Sequence, residues 1–491
     1  MTPLRLSQLL AGVTTVAPDQ DRTVSGLCLQ SGAVRAGDAF VALAGSQRHG
    51  IDSAADAVAR GAVAVLVETP VAAVPELAVP VLAIANLRGQ LGAIAARAYD
   101  TDPNCPRLIG VTGTNGKTSC VQLLSQALHQ AGVVAASSGT LGFGLFGALS
   151  PSERTTPDLL SLHAGIADLR AQGASLLAME VSSHALAQGR VDGLQFAVAA
   201  FTNLSRDHLD YHQDMASYLA AKTRLFTRPE LAAAVINLDD PAAASLVQAL
   251  APGVRLIGTS AAGQPSATVA AQALVTDASG LRFELLIDGQ ILPVQSALLG
   301  RFNVANLLTV AGILLALEWT PARIATALCQ LVPVPGRMSR LGGEAGRPLV
   351  VVDYAHSPDA LDKAISTLRE HGRGQLWLVF GCGGERDRGK RAEMAELAER
   401  GAERVIVTDD NPRNEDGEAI VRDILAGFTE ADRVLVERDR RSAIRKAVGL
   451  AAAEDTVLIA GKGHERWQEV GASKFPFDDL AEARAALEAV R

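Results

Sequence analysis

The sequence predicts an α/β protein of three domains, and three observations carry that prediction. At 491 residues the chain is too long for one hydrophobic core. Short apolar runs recur along it, each followed by glycine or polar residues or by helical periodicity, the rhythm of βαβ units on a mostly parallel sheet. Two proline-rich joints, YDTDPNCPR at 99–107 and LVPVPGRMSR at 331–340, divide these runs into blocks at 1–100, 101–335 and 336–491.

The first block holds AFVAL, AVAVLVE and VPVLAI, short strands of a small α/β unit. In the second, LIGV leads through TGTNGKT into the helix VQLLSQALHQAG, and LLAMEV, FAVAAFT and AAVINL follow as further strands. This block reads as a P-loop nucleotide-binding domain with a mostly parallel sheet. The third holds LVVVDYAH, LWLVFGCGG, RVIVTDD and DTVLIAGKG, buried-strand runs of a doubly wound sheet. Ligands of such sheets gather at the carboxyl ends of the strands, so all four endings are candidate site positions. No internal repeat or low-complexity tract interrupts the pattern.

Composition narrows the function classes. The chain is 48% hydrophobic with 45 glycines, which suits α/β layers rather than disorder. Forty-five Lys plus Arg stand against 53 Asp plus Glu for a formal charge of −8, and no long basic tract tracks a phosphate backbone, so nucleic acid is not an expected partner. Cys28, Cys105, Cys120, Cys329 and Cys382 are scattered and never form a CxxC pair, which favours a reducing compartment over a disulfide framework or a zinc site. The start, MTPLRLSQLLAGV, is too short an apolar stretch for a secretory signal, and nothing approaches the roughly 20 apolar residues that span a bilayer. A cytoplasmic protein away from membranes is expected.

The segment Gly113, Thr114, Asn115, Gly116, Lys117, Thr118 follows a strand and opens a helix. Glycines let backbone N–H groups converge on an anion, the helix start favours negative charge, Lys117 adds a point charge and Thr118 can ligate Mg²⁺. The full Walker spacing is not met, because Val111 stands where its first glycine would be. Glu180 ends the strand in LLAMEVSSHAL, and Asp207, His208, Asp210 and His212 follow another in FTNLSRDHLDYH. Glu180 and His208, at strand ends beside the glycine loop, are candidate Mg²⁺ ligands. His184 and His212 read as hydrogen-bonded structural residues. Lys222, in MASYLAAKTRLF, reads on periodicity alone as a surface lysine.

GTNGKT, MEVSSHAL, TNLSRDHLDYH, AAK, GRFNVAN, PGRM and DYAHSPDAL occur in the order seen in the Mur ligases, the ATP-dependent amide ligases of peptidoglycan precursor synthesis. The chain resembles that family over essentially its whole length, most closely its meso-diaminopimelate-adding branch. The resemblance implies that the N-terminal domain holds a UDP-muramoyl substrate, the central domain ATP, and a Rossmann-like C-terminal domain the incoming amino acid. The expected substrates are UDP-MurNAc-L-Ala-D-Glu, ATP and meso-diaminopimelate. Two Mg²⁺ ions and a CO₂-derived carbamate on Lys222 are also implied, with Lys117, Glu180, His208 and Lys222 catalytic and a monomer as the working form. Carbamylation would turn a cationic side chain into an anionic oxygen donor for the second ion, aided by burial that lowers the lysine pKa.

The same comparison assigns Gly113 to Ser119, Asn303, Asn306, Arg337, Asp353 and Tyr354 to ATP. It assigns Leu29, Ser31, Ser46, Gln47, Arg48, Thr155, Thr156, Ser182, Gln188 and Arg190 to the UDP-muramoyl substrate. Here the chain departs from the family's pattern: LQSGA carries an extra residue where Asp-Ser-Arg is usual, and Arg154 stands where asparagine is common. Arg386, the run Asp410, Asn411, Pro412, Arg413, and Gly461 with Glu465 correspond to the amino-acid pocket. An arginine fork suits a distal carboxylate, whereas Asp410 and Glu465 can accept from an ammonium. Lysine-adding relatives carry acidic residues in place of Arg413. The competing reading pairs Arg413 with Glu415 or Asp416. In either case Glu415, Asp416 and Glu418 are expected to form a solvated turn. Other amide ligases (L-lysine-adding or D-Ala-D-Ala-adding Mur ligases, folylpolyglutamate synthases) and a P-loop regulatory switch are the alternative functions.

Overall fold

The strand Arg107–Thr112 lies in the middle of a parallel sheet, flanked by Leu176–Glu180 and Phe196–Phe201. The register sets Glu180 beside Val111 and Phe201 beside Thr112, which brings the ends of the three strands to one edge. The structure, a computed structural model, describes residues 2–45, 48–71, 73–101, 106–152, 154–277, 279–344, 346–372 and 374–490, without the side chain of Asp210. The chain divides into two units, 1–259 and 260–491.

In the first unit, Gly26–Cys28, Asp38–Ala42, Ala64–Thr69 and Val81–Ala85 form a four-stranded parallel sheet in that order. Strand alternation sorts its side chains between two cores: Ala64 and Leu66 join the helix Leu87–Tyr99, while Val65 and Val67 join Ile51 and Ala54. The second sheet of this unit places Ala135–Gly139, Leu176–Glu180, Arg107–Thr112, Phe196–Phe201, Ala233–Asn237 and Arg255–Ser260 side by side, all parallel. The short strands Gly142–Leu145 and Ala148–Ser150 extend it antiparallel. A β-carbon at Gly110 would stand 3.0 Å from the Phe196 ring, so a glycine in the central strand lets the aromatic pack there.

The second unit begins with an antiparallel meander, Val269–Asp277, Gly280–Ile287 and Gln290–Ser296, which the apolar-run reading does not anticipate. The helices Phe302–Ala316 and Pro321–Gln330 follow. A six-stranded sheet then runs in the order Ser339–Gly342, Leu349–Asp353, Thr456–Ala460, Leu376–Phe380, Arg404–Val407, Leu435–Val436, parallel except for its first strand. Leu378, Val407 and Leu458 face one core and Val379, Ile406 and Ile459 the other, as a doubly wound sheet requires. His371, the last residue of the helix Pro358–His371, ties that helix to the meander and to the turn before Phe302–Ala316: Gly300 N–H donates to its Nε2 at 2.8 Å and its Nδ1–H donates to Asp277 O at 2.6 Å, which fixes its tautomer. The α/β class with mostly parallel sheets is the one the sequence predicts.

Two helices at the back of this sheet share a fully buried ion pair. Arg440 in Arg440–Leu450 donates through Nε and Nη2 to Asp479 in Asp479–Ala489, at 2.8 and 2.7 Å. Removing one partner of such a pair leaves a buried charge uncompensated. Asp479→Ala is therefore expected to destabilise this unit by about 3–5 kcal/mol, read as a lower urea midpoint.

Candidate functional site

Gly113 and Gly116 bracket the turn between the strand Arg107–Thr112 and the helix Lys117–Gln130. Gly113 has φ +147°, and a β-carbon there would lie 1.9 Å from Thr202 Oγ1, so the turn admits nothing larger. Asn203 pins the loop: its carbonyl accepts Thr114 N–H at 2.8 Å and its Oδ1 accepts Asn115 N–H at 2.9 Å. The first intrahelical bond is Cys120 N–H to Gly116 O at 2.8 Å, so the N–H groups of Lys117, Thr118 and Ser119 lie ahead of it, at the positive end of the helix. Lys117 Nζ curls back over the loop, donating to Gly113 O and Thr114 O, each at 2.8 Å. This is an anion-binding geometry.

Lys222 lies beneath the same loop. It is 1% exposed, not the surface lysine that periodicity suggests. The helix Met215–Thr223 turns its C-terminal end inward, and periodicity along a short helix reports which residues share a face, not how deep that face lies. Lys222 Nζ donates to Gly113 O at 2.9 Å and stands 4.3 Å from the centre of the Tyr218 ring. Burial, then the Lys117 cation, lowers its pKa to about 6, against a weaker pull from Asp207. The amine is mostly neutral at neutral pH, which makes it a nucleophile toward CO₂.

Glu180 is 1% exposed and fully engaged. Thr118 Oγ1 donates to its Oε2 at 3.0 Å, Thr140 N–H to its Oε1 at 2.7 Å, and Thr156 Oγ1 to its backbone carbonyl at 2.8 Å. A β-carbon at Gly139 would lie 2.1 Å from Oε1, so that glycine leaves the carboxylate its room. A threonine hydroxyl and a carboxylate beside an anion-binding loop are hard oxygen donors of the kind Mg²⁺ takes, and here the residues fit the ion. Among the described residues no cluster of three or more His, Cys, Asp and Glu side chains could hold a metal.

From Glu180 a chain of contacts runs outward. Thr155 Oγ1 lies 3.3 Å from Thr140 Oγ1, Ser182 N–H donates to Thr156 Oγ1 at 3.1 Å, and Arg190 Nη1 donates to Thr156 O at 3.0 Å. Arg190 Nε meets Gln188 Oε1 at 2.9 Å, and Gln188 Nε2 donates to the Tyr211 hydroxyl at 3.3 Å. Burial, reinforced by Arg154, lowers the Arg190 pKa. Tyr211 packs on His184, which meets the His208 ring at 4.8 Å. His208 itself is half exposed beside Asp207 at 3.4 Å, with φ +54°. His212 is buried, with its Nε2 2.9 Å from Ser183 Oγ. Leu29, Ser31 and Arg48 stand on the other sheet's block: Leu29 packs on its core, Ser31 hydrogen-bonds Asp56, and Arg48 is exposed. Ser46 and Gln47 lie outside the described residues.

In the second unit Asn303 and Asn306 are buried at the start of Phe302–Ala316, linked Nδ2 to Oδ1 at 2.8 Å. Arg337 lies 5.1 Å from the centre of the Tyr354 ring, and its buried Nε has no hydrogen-bond partner among the described residues. Asp353 accepts Met338 N–H at 2.7 Å, and burial raises its pKa against the pull of Arg337. Burial and the Arg337 cation lower His464, which packs on Tyr354, to about 4.

The strand ends at 407 and 460 build a second cluster in this unit. Gly461 has φ +119°, and a β-carbon there would lie 2.4 Å from Asp410 Oδ2. Lys462, fully buried, is the residue the sequence reading misses, although it lies inside the GKGHE run. Its Nζ donates to Asn411 Oδ1 at 2.9 Å and Glu465 Oε2 at 3.1 Å, and stands 3.9 Å from Asp410. Asn411 Nδ2 also donates to Glu465 Oε2 at 2.8 Å. Burial raises the Asp410 pKa, opposed by Arg440 and Lys462. Pro412 is buried, its carbonyl against Gly384, while Arg386 is exposed.

Arg413 has φ +53°, a left-handed backbone costing a non-glycine residue about 1 kcal/mol or more. It pairs with neither Glu415 nor Asp416, but with Glu469 at 3.0 Å. Nor is Glu415 part of a solvated turn: it takes the two ends of the fully buried Arg391 fork at 2.8 Å each, which pulls its pKa down to about 2. Its partner is 24 residues away, beyond any local pattern. Asp416 caps the helix Gly417–Leu425 through Glu418 N–H.

Comparison with known proteins adds the following. Residues 23–99 match the Mur ligase family catalytic domain, 111–314 the Mur ligase middle domain and 336–463 the Mur ligase glutamate ligase domain. A UDP-N-acetylmuramoyl-L-alanyl-D-glutamate–2,6-diaminopimelate ligase of Xanthomonas campestris pv. campestris (strain 8004) is 55% identical over 484 residues, 99% of this chain and 97% of that one. One of the same name from Xylella fastidiosa (strain 9a5c) is 53% identical over 488 residues, again 99% and 97%. A solved structure of an enzyme of that name superposes with TM-score 0.74 at 36% identity, covering 99% of both chains.

The buried amine of Lys222 makes stability depend on pH. Its pKa is about 6 when folded and 10.5 when exposed, so between those values the unfolded chain binds the extra proton and stability rises with pH. In CO₂-free buffer the unfolding free energy is expected to climb by up to about 1.4 kcal/mol per pH unit from this group, and Lys222→Met should lose that increment between pH 7 and 9. Denaturation curves with equal pH slopes for the two proteins would count against the buried neutral amine.

Proposed function

The chain belongs to the Mur ligase family, and from that premise we propose that it joins meso-diaminopimelate to UDP-MurNAc-L-Ala-D-Glu at the expense of ATP. The observation that carries this reading is the 55% identity, over 99% of the chain, to a ligase of that name. In the proposed reaction the terminal carboxylate of the UDP-linked substrate attacks the γ-phosphorus of ATP. An acyl phosphate forms and ADP leaves. The free amine of diaminopimelate then adds to the acyl carbon, phosphate departs, and the nitrogen gives up its proton. ATP and a UDP-linked sugar are intracellular reagents, so the cytoplasm is the proposed location.

Two anionic reactants and a triphosphate repel one another, so gathering positive charge is the main catalytic task. Lys117 and the start of the helix Lys117–Gln130 would take the phosphates, with Arg337 as a further cation. Thr118 and Glu180 would hold one Mg²⁺, and His208 with a Lys222 carbamate a second. Bound there, the ions would screen the phosphate and carboxylate charges. What supports the carbamate is the neutral amine of Lys222 beside the loop. Asn303, Asn306, Asp353 and Tyr354 would bind adenosine. Thr155, Thr156, Ser182, Gln188 and Arg190, with Leu29, Ser31, Ser46, Gln47 and Arg48, would bind the UDP-muramoyl group. Arg386, Asp410, Asn411, Pro412, Arg413, Gly461 and Glu465 would form the amino-acid pocket. The proposed domains, 1–100, 101–335 and 336–491, draw support from the separate family matches at 23–99, 111–314 and 336–463.

Purified protein supplied with UDP-MurNAc-L-Ala-D-Glu, ATP and Mg²⁺ is expected to release phosphate on addition of meso-diaminopimelate and far less on addition of L-lysine; equal turnover with lysine would refute the specificity. Arg413→Ala is expected to raise the diaminopimelate KM about 10- to 100-fold, the loss of charge-assisted bonds to a carboxylate, with ATP binding nearly unchanged. Lys222→Ala is expected to abolish most turnover and to regain part of it with a short carboxylic acid, assayed by the same phosphate release.

A further inference from the structure

The hairpin formed by Trp467–Val470 and Ser473–Pro476 is largely exposed, so core burial does not account for its position. The turn at 410–413 does. Glu469 N–H donates to Asn411 Oδ1 at 3.0 Å, Arg413 N–H to Glu469 O at 3.0 Å, and Gly471 N–H to Arg413 O at 2.7 Å. These bonds brace the left-handed backbone of Arg413 from both sides. The side chains repeat the pairing. Arg413 Nε donates to Glu469 Oε2 at 3.0 Å, Lys474 Nζ stands 2.9 Å from Glu469 Oε1, and Arg413 Nη1 donates to Gly384 O at 2.8 Å. Among the described residues the guanidinium is therefore held through Nε and Nη1, which leaves the Nη2 group to offer. A side chain at Gly383 would crowd it, since a β-carbon there would lie 3.0 Å from Arg413 Nη1 and 3.8 Å from Arg386 Cγ.

Charge balance fits the same picture. Lys474 and, less strongly, Arg413 hold the Glu469 carboxyl below its usual range, so it stays ionised. A lone Arg413–Glu469 pair would be neutral and would attract an anion weakly. With Lys474 the cluster has two cations and one anion, which leaves one positive charge for an incoming carboxylate.

We propose that Glu469 is a specificity-determining positioning residue of the amino-acid site, which holds Arg413 by Nε so that its Nη2 edge meets the distal carboxylate of a diamino diacid. The inference rests on the reading of Arg413 as the receptor for that carboxylate. Glu469 does not touch the ligand itself. It removes the freedom that a long arginine side chain would otherwise lose on binding.

Steady-state kinetics of Glu469→Ala, Glu469→Gln and Arg413→Ala in the full chain test it, with meso-diaminopimelate or L-lysine varied at saturating ATP and UDP-linked substrate. Glu469→Ala is expected to raise the diaminopimelate KM about tenfold. It should leave kcat and the ATP KM within about twofold, and lower the preference for diaminopimelate over lysine by a factor similar to the KM rise. Glu469→Gln, whose amide oxygen still accepts from Nε, should recover most of the loss, and the fall in preference for diaminopimelate at unchanged kcat is what a merely structural role would not produce. A diaminopimelate KM within about twofold of the parent in Glu469→Ala, or an equal rise in the ATP KM, overturns the proposal. Should Glu469→Ala fail to fold, Glu469→Asp, which keeps the charge but withdraws the carboxylate by one methylene, carries the same expectation and the same overturning result. Arg413→Ala separates the two readings. An unchanged diaminopimelate KM there removes the pocket assignment itself, whereas a raised one alongside a normal Glu469→Ala removes only the role of Glu469.

Discussion

A lysine amine buried under a glycine loop must either meet a counter-ion or give up its proton. Among the described residues, three other deeply buried cations take the first course. Arg391 is met by Glu415 and Asp423, Arg440 by Asp479, and Lys462 by Glu465. Lys222 takes the second: its hydrogen bond goes to the Gly113 carbonyl and its other neighbour is the Tyr218 ring. The loop is arranged around that choice. Gly113 O receives both Lys222 and Lys117, and the Lys117 cation in turn disfavours charge on Lys222. A titratable group so strongly perturbed by burial and a like charge marks a working site more often than a structural one.

Glu180 is the second fixed point, and the sheet puts it there. Parallel pairing with Arg107–Thr112 sets it beside Val111, two residues before Gly113 opens the loop, so Thr118 can reach it from the next helix. With both oxygens and its own carbonyl hydrogen-bonded, this carboxylate can neither rotate nor withdraw. The polar residues from Thr155 to Arg190 hang from it by successive hydrogen bonds, so the group proposed to hold the muramoyl substrate and the group proposed to hold the metal share one rigid anchor. Such pre-organisation is what charge-stabilising catalysis requires, because nothing then has to reorient during the reaction.

What was legible in the sequence is what is local. Gly113 to Thr118, Glu180, Asp410 to Arg413 and Gly461 to Glu465 all sit where an apolar strand gives way to small or charged residues, and that signal needs only neighbouring letters. Depth and distant pairing leave no such mark. Lys222 looks like any lysine at the end of a short helix until the helix is packed. Glu415 reads as one carboxylate among several until Arg391, on the helix Gly389–Gly401, is brought to it. The meander at 269–296 also escaped, although GLRFELLI alternates as an antiparallel strand should, because the surrounding βαβ rhythm dominates the reading. Glu469 had no motif to announce it; its meaning comes from a backbone bridge to a turn 56 residues earlier.

The arginines show why a motif alone does not tell a binding residue from a structural one. Arg391 and Arg440 each present two nitrogens to two carboxylate oxygens, a match of fork to fork that leaves little charge to offer. Arg413 gives one nitrogen to a carboxylate that Lys474 also claims, and another to a carbonyl. Its side chain is 22% exposed where those of Arg391 and Arg440 are fully buried. Its charge is thus positioned but not spent. An anion arriving at Arg413 gains a planar donor already held in place, whereas one arriving at Arg391 or Arg440 would first have to displace a bidentate carboxylate from the protein's interior. The difference lies in what stands opposite each guanidinium, and for Arg413 that is set by a hairpin carboxylate outside the four residues that first draw notice.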